Sequence, residues 1–207
     1  MISEQIISLI TFASIASVTP GPNNIMLMSS GMLFGLRKTL PHILGVVLGF
    51  SSMLTAAVFG IAQLLFVVPG LIWGIKLLGV CWLIWLSLQY FKAAMASTDD
   101  NNTESKKMRS RPFLFIEAFA FQWANPKGIL AAISCAGAFV SVSNQASERA
   151  LIIVSVFLIV GIMTCFLWTM VGNVLMQFMA KGPYVKLLNI CMGILILLTA
   201  AGVVLLV

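Results

Sequence analysis

No charged side chain occurs between Gln5 and Leu36, and near the middle of that run stands Thr19-Pro20-Gly21-Pro22-Asn23-Asn24. The run is longer than the roughly 20 residues a helix needs to cross about 30 Å of hydrocarbon. A helix cannot pass through Pro-Gly-Pro intact, because each proline lacks an N–H and crowds the preceding turn, while glycine adds backbone freedom. The chain is therefore expected to cross a membrane on a helix that is broken at depth. Backbone groups released there must pair with protein or line a wet cavity, since lipid offers no partners. Pro20, Gly21, Pro22, Asn23 and Asn24 thus form a candidate substrate-binding or translocation element, weighed against a kink that serves packing alone.

A second interruption, Asn125-Pro126-Lys127, lies in the apolar stretch from Phe113 to Val140. Pro20 follows Glu4 by 16 residues and Pro126 follows Arg111 by 15, so each break falls about midway through the first helix of its half. Interrupted segments at corresponding places in two halves point to a transport site at the repeat interface. Gln122, Asn125, Pro126 and Lys127 join the candidate set on this ground.

Composition supports the membrane class. Charged residues are 9% of the chain, against about 25% in soluble domains, and mean hydropathy is +1.07. The expected fold is an all-α integral membrane protein of six transmembrane helices, arranged as two inverted three-helix repeats. The helices are placed at about 4–34, 40–67, 70–93, 113–140, 148–179 and 184–206. The first and fourth are broken near the midplane. Residues 1–95 form the first repeat, 96–112 a charged linker and 113–207 the second repeat. Met1 to Glu4 lack a basic leader, so the first helix reads as a retained span.

Basic residues set the orientation. One set of loops holds Arg37, Lys38, Lys92, Lys106, Lys107, Arg109, Arg111, Lys181 and Lys186, and the other holds only Arg149. The positive-inside rule then places the linker in the cytoplasm and both termini outside. The net charge of +6 follows from this asymmetry, and nucleic acid is not an expected partner. Gly31/Gly35, Gly45/Gly49 and Gly70/Gly74 each have the spacing that lets helices approach closely.

Lys127 is the sharpest single residue. A charge at mid-bilayer costs at least about 2.5 kcal/mol, so it must face the interior or a wet cavity. It reads as a counter-charge for a carboxylate, as a proton-switchable amine, or as a lysine that neutralises carbonyls at the break. Glu117 reads as a partner for a linker base or as part of a vestibule, Lys76 as snorkelling to the outer interface, and His42 as a polar cap. Cys81, Cys135, Cys165 and Cys191 have no metal spacing and read as small apolar residues. With no P-loop, no zinc-protease motif and no paired intramembrane acids, no cofactor, metal or enzymatic chemistry is expected.

At its two breaks the chain resembles the LysE/RhtB family of amino-acid exporters. Thr19-Pro20-Gly21-Pro22-Asn23 and Phe121-Gln122-Trp123-Ala124-Asn125-Pro126-Lys127 carry the likeness. Pro41-His42-x-x-Gly45-x-x-x-Gly49 and Gly79-x-x-Trp82-Leu83 extend it along the chain. Trp82 stands where many members have tyrosine, and Gly128 where alanine is common. The resemblance implies a multi-pass protein of the bacterial inner membrane that exports amino acids or close derivatives using the proton gradient; the termini placed outside by the basic loops would then be periplasmic. Its partners would be that small-molecule substrate and the lipid bilayer, with association into a homo-oligomer left open. Two other classes compete: a membrane thiol-disulfide electron carrier, which would need cysteines beside both breaks, and a non-transporting scaffold, in which Lys127 would be needless expense.

Overall fold

A computed structural model of the chain describes residues 2–60, 69–96, 111–179 and 184–205. Every regular element among them is helical. Helices α1 (Ile2–Val18) and α2 (Pro22–Val58) come first, then α3 (Pro69–Ala96), α4 (Phe115–Ala124) and α5 (Pro126–Ala138). A single 3-10 turn at Val140–Val142 precedes α6 (Ala146–Met179) and α7 (Tyr184–Leu205). Seven α-helices thus stand among the described residues where six spans were expected: the two breaks add two, and the joining of the first and second spans through Gly35 removes one. Both predicted breaks are present, splitting α1 from α2 and α4 from α5. The third interruption is at Gly35, inside α2, with φ 74° and ψ 171°.

Gly35 answers a problem of length. At 1.5 Å per residue the 37 residues of α2 would run about 55 Å, far beyond the bilayer core. The left-handed φ at Gly35, cheap only for glycine, divides α2 into residues 22–34 and 36–58. The expected second helix therefore begins nearer residue 36 than residue 40, and Pro41 lies within its first turns. It ends at Val58, followed by Gly60 with φ 88°. The remainder of that prediction, to residue 67, falls on residues 61–68, outside the described residues. So do Lys106, Lys107, Arg109 and Lys181; Lys76 lies on α3, but its side chain is likewise not described.

Two apolar clusters show how the broken helices run. One joins Ile25–Met28, after the first break, to Ala118 and Phe121, before the second, with Ile43, Val46 and Val47 between them. The other joins Leu9 and Ala13, before the first break, to Ala132 and Cys135, after the second, with Met53, Leu54, Ile153 and Phe157. The two interrupted segments are consequently antiparallel, with their breaks at one level. On the far side α3 packs on α7, where the Ser87 hydroxyl donates to Gly193 O at 2.9 Å.

Glycines set the tightest crossings. A Cβ at Gly172 of α6 would overlap Met28 O, and one at Gly31 would overlap Thr169 O. One at Gly45 would overlap Phe115 O, and one at Gly49 would lie 2.8 Å from both Phe119 O and Gln122 Cγ. The expected pairing of close-packing glycines holds for Gly45/Gly49 and fails for the other two pairs. Gly35 makes a turn and meets nothing within 4 Å among the described residues, and neither do Gly70 and Gly74.

At the linker end Glu117 accepts both guanidinium nitrogens of Arg111 at 2.9 Å and the Leu114 N–H at 2.9 Å. The predicted partnership with a linker base is therefore present, and it also caps α4. His42 departs from expectation: it is fully buried, its ring 5.0 Å from that of Phe113, instead of capping a helix at the surface. The cysteines divide, Cys135 and Cys165 buried as expected and Cys81 and Cys191 exposed.

Candidate functional site

The two breaks are built alike. Pro22 opens α2 and Pro126 opens α5, each at the first helical position, where the missing N–H costs nothing. The preceding residues, Gly21 (φ −171°, ψ 178°) and Asn125 (φ −86°, ψ 105°), are extended, as residues before proline tend to be. Because the segments are antiparallel, two helix N-termini meet at one level. Each brings unpaired N–H groups and the positive end of a helix dipole.

Two of the carbonyls released at the first break, Ser17 O and Thr19 O, are paired. The Asn24 amide donates to Ser17 O at 2.8 Å and to Thr19 O at 2.9 Å. Lys127 Nζ reaches across from the second break and also donates to Thr19 O. Its stem lies against Gly21, where a Cβ would come 2.8 Å from Lys127 Cδ. Asn23 and Gln122 exchange both amide bonds, Nδ2 to Oε1 at 2.6 Å and Nε2 to Oδ1 at 3.0 Å, and Gln122 donates further to Ala118 O. One group is left over. Asn125 is 3% exposed, and its Oδ1 has no hydrogen-bond partner among the described residues.

These groups surround a cavity of about 90 Å³, several times the roughly 10–15 Å³ that one ordered water needs. Of the residues singled out from sequence, Gly21, Pro22, Asn23, Asn24, Gln122, Asn125 and Lys127 line it. Pro20 does not, being exposed to the outside, and Pro126 is packed beneath Gly79 of α3. Sequence reasoning missed an entire wall. Phe157, Gly161, Thr164 and Cys165 of α6 face the cavity, with Val46, Val47 and Phe50 of α2 beside them. Their 3–4 residue spacing was a legible helical stripe, but an apolar helix carries such stripes on every side.

The sequence profile of the LysE type translocators matches residues 14–207. The chain belongs to the LysE-type translocator family. This translocator is thus a bacterial-type membrane carrier and not an enzyme, as expected. It is 28% identical over 194 residues to the cysteine/O-acetylserine efflux proteins of Salmonella paratyphi A and Salmonella typhimurium, spanning 93% of this translocator and 94% of each relative. The protein of that name from Escherichia coli K12 is 26% identical over the same spans. No solved structure matches the translocator.

Proposed function

We propose that this translocator is a secondary active exporter that carries amino acids or close derivatives out across the bacterial inner membrane in exchange for protons. The observation that carries the reading is the cavity at the level of the two breaks. It sets an ammonium and two helix N-termini, fit for a carboxylate, beside the orphan acceptor of Asn125, fit for an α-ammonium. The efflux activity in the relatives' names supports the same substrate class.

Lys127 is assigned to the substrate carboxylate. Asn125 is assigned to the amino group, whereas Asn23 and Gln122 already satisfy each other and act as the brace between the two segments. Six spans in two inverted repeats fit the packing. The first span (α1 with residues 22–34) lies on α6, the second (residues 36–58) on α4 and α5, and the third helices lie on each other. The basic loops assign the linker to the cytoplasm and the termini to the periplasm. The sequence holds no nucleotide-binding motif. A proton gradient is assigned as the driving force because the family resemblance implies it.

The test is efflux from cells loaded with labelled solutes, using the proteinogenic amino acids and O-acetyl-L-serine. At least one should leave faster in cells that make the translocator, and a protonophore should abolish the difference. A full panel with no accelerated solute would overturn the reading, and acceleration that ignores the protonophore would overturn the coupling alone.

A further inference from the structure

The wall that α6 contributes has a chemistry of its own. Phe157, Gly161, Thr164 and Cys165 recur every three or four residues, so their side chains share one helix face. Phe157, Thr164 and Cys165 are buried, and that face lines the cavity. Gly161 lies between them, and a Cβ built on it meets no atom of the described residues within 4 Å. Gly31, Gly45, Gly49 and Gly172 are glycines because a backbone passes close by; Gly161 is not. It leaves part of the cavity wall uncovered. The other polar boundary is the Asn125 acceptor, 3% exposed and without a partner among the described residues, which calls for a donor from outside the chain. No carboxylate appears among the described lining residues, and Lys127 already brings a positive charge.

We infer that the Gly161 face of α6 is the side-chain subsite of this carrier, and that it admits small, uncharged side chains and selects them by length. This rests on the amino-acid site proposed above, with the carboxylate at Lys127 and the amino group at Asn125. The bound zwitterion then projects its side chain towards the gap left by Gly161, between the Phe157 ring and the Thr164 and Cys165 side chains. A cationic side chain would bring a second positive charge beside Lys127 with no acid to meet it, so basic amino acids are excluded.

Calorimetry on the full chain in detergent tests this with three probes, L-alanine, L-norvaline and L-lysine. Norvaline carries two more methylenes than alanine. At about fourfold per buried methylene it should bind the wild type roughly fifteenfold more tightly, and lysine should not bind detectably. In Gly161→Val the added side chain occupies the gap. Norvaline should then weaken at least tenfold, while alanine stays within about threefold of wild type. Gly161→Ala, which adds one methyl group into open space, should lower the norvaline preference about fourfold and serves if the valine variant does not fold. An unchanged preference in Gly161→Ala, or lysine binding as tightly as alanine, overturns the inference. Lys127→Met separates this from the site itself. If the wild type binds neither neutral probe, or if Lys127→Met binds both as the wild type does, the amino-acid site fails and the subsite with it. Loss of both probes in Lys127→Met with an altered preference in Gly161→Ala supports both.

Discussion

Lys127 donates to Thr19 O across the two breaks and still lines the cavity. An ammonium has three donors, so one can brace the backbone while others meet a ligand. The two roles separate by measurement. Lys127→Met loses a charge-assisted bond worth roughly 1.5–3 kcal/mol and should melt several degrees lower, with ligand affinity below detection. Lys127→Arg keeps the charge but spreads it over a planar fork, and should keep part of the affinity. A methionine variant that binds as the wild type does would leave the lysine a brace only. At this scale the sequence was half legible. Pro20, Gly21 and Lys127 announce themselves locally, through a forbidden backbone and a charge at the wrong depth. That Asn23 would pair with Gln122, leaving Asn125 as the group without a partner, depends on which amides meet across 99 positions of chain. Gly161 carries no local signal, since its value lies in what is not next to it.

The crossing glycines act at the scale of whole helices. The backbone of α6 runs against that of α2 where Gly172 meets Met28 and Gly31 meets Thr169. Gly172→Ala cannot be absorbed by a rotamer change, because the obstacle is a carbonyl oxygen. The helices must part, at a cost of about 1–3 kcal/mol or more. A melting curve in detergent should fall clearly, whereas Gly74→Ala, which meets open space, should melt at or above the wild-type temperature, since alanine favours a helix interior by up to about 1 kcal/mol. Equal melting of the two variants would show the crossing to be loose. Glycine spacing alone did not distinguish these positions. Gly45/Gly49, Gly31/Gly35 and Gly70/Gly74 look the same on paper, and only the first pair works as a pair. Apart from the second helix, the helix extents were legible because apolar length and proline punctuation are local. The turn at Gly35 was not, since a glycine in a helical pattern reads equally as contact or as bend.

For the whole molecule, orientation rests on the basic loops. A thiol placed after Val207 should react with an impermeant maleimide in intact cells, and one at Asn102 should react only after permeabilisation. The reverse pattern would invert the assignment. That orientation gives a meaning to the unequal ends of the bundle. At the linker end of the breaks the helices touch backbone to backbone, at Gly31, Gly45, Gly49 and Gly172. At the other end the contact is made by side chains, with the rings of Phe12 and Phe157 6.3 Å apart, those of Phe50 and Phe157 5.4 Å apart, and those of Phe12 and Phe139 5.9 Å apart. Rings can swing while helices stay put; a seam of carbonyls on glycines yields only when whole helices slide. One end is therefore compliant and the other stiff. In the orientation proposed above the stiff end would face the cytoplasm and the compliant one the periplasm, so a loading door would have to part helices where an unloading door need only turn rings.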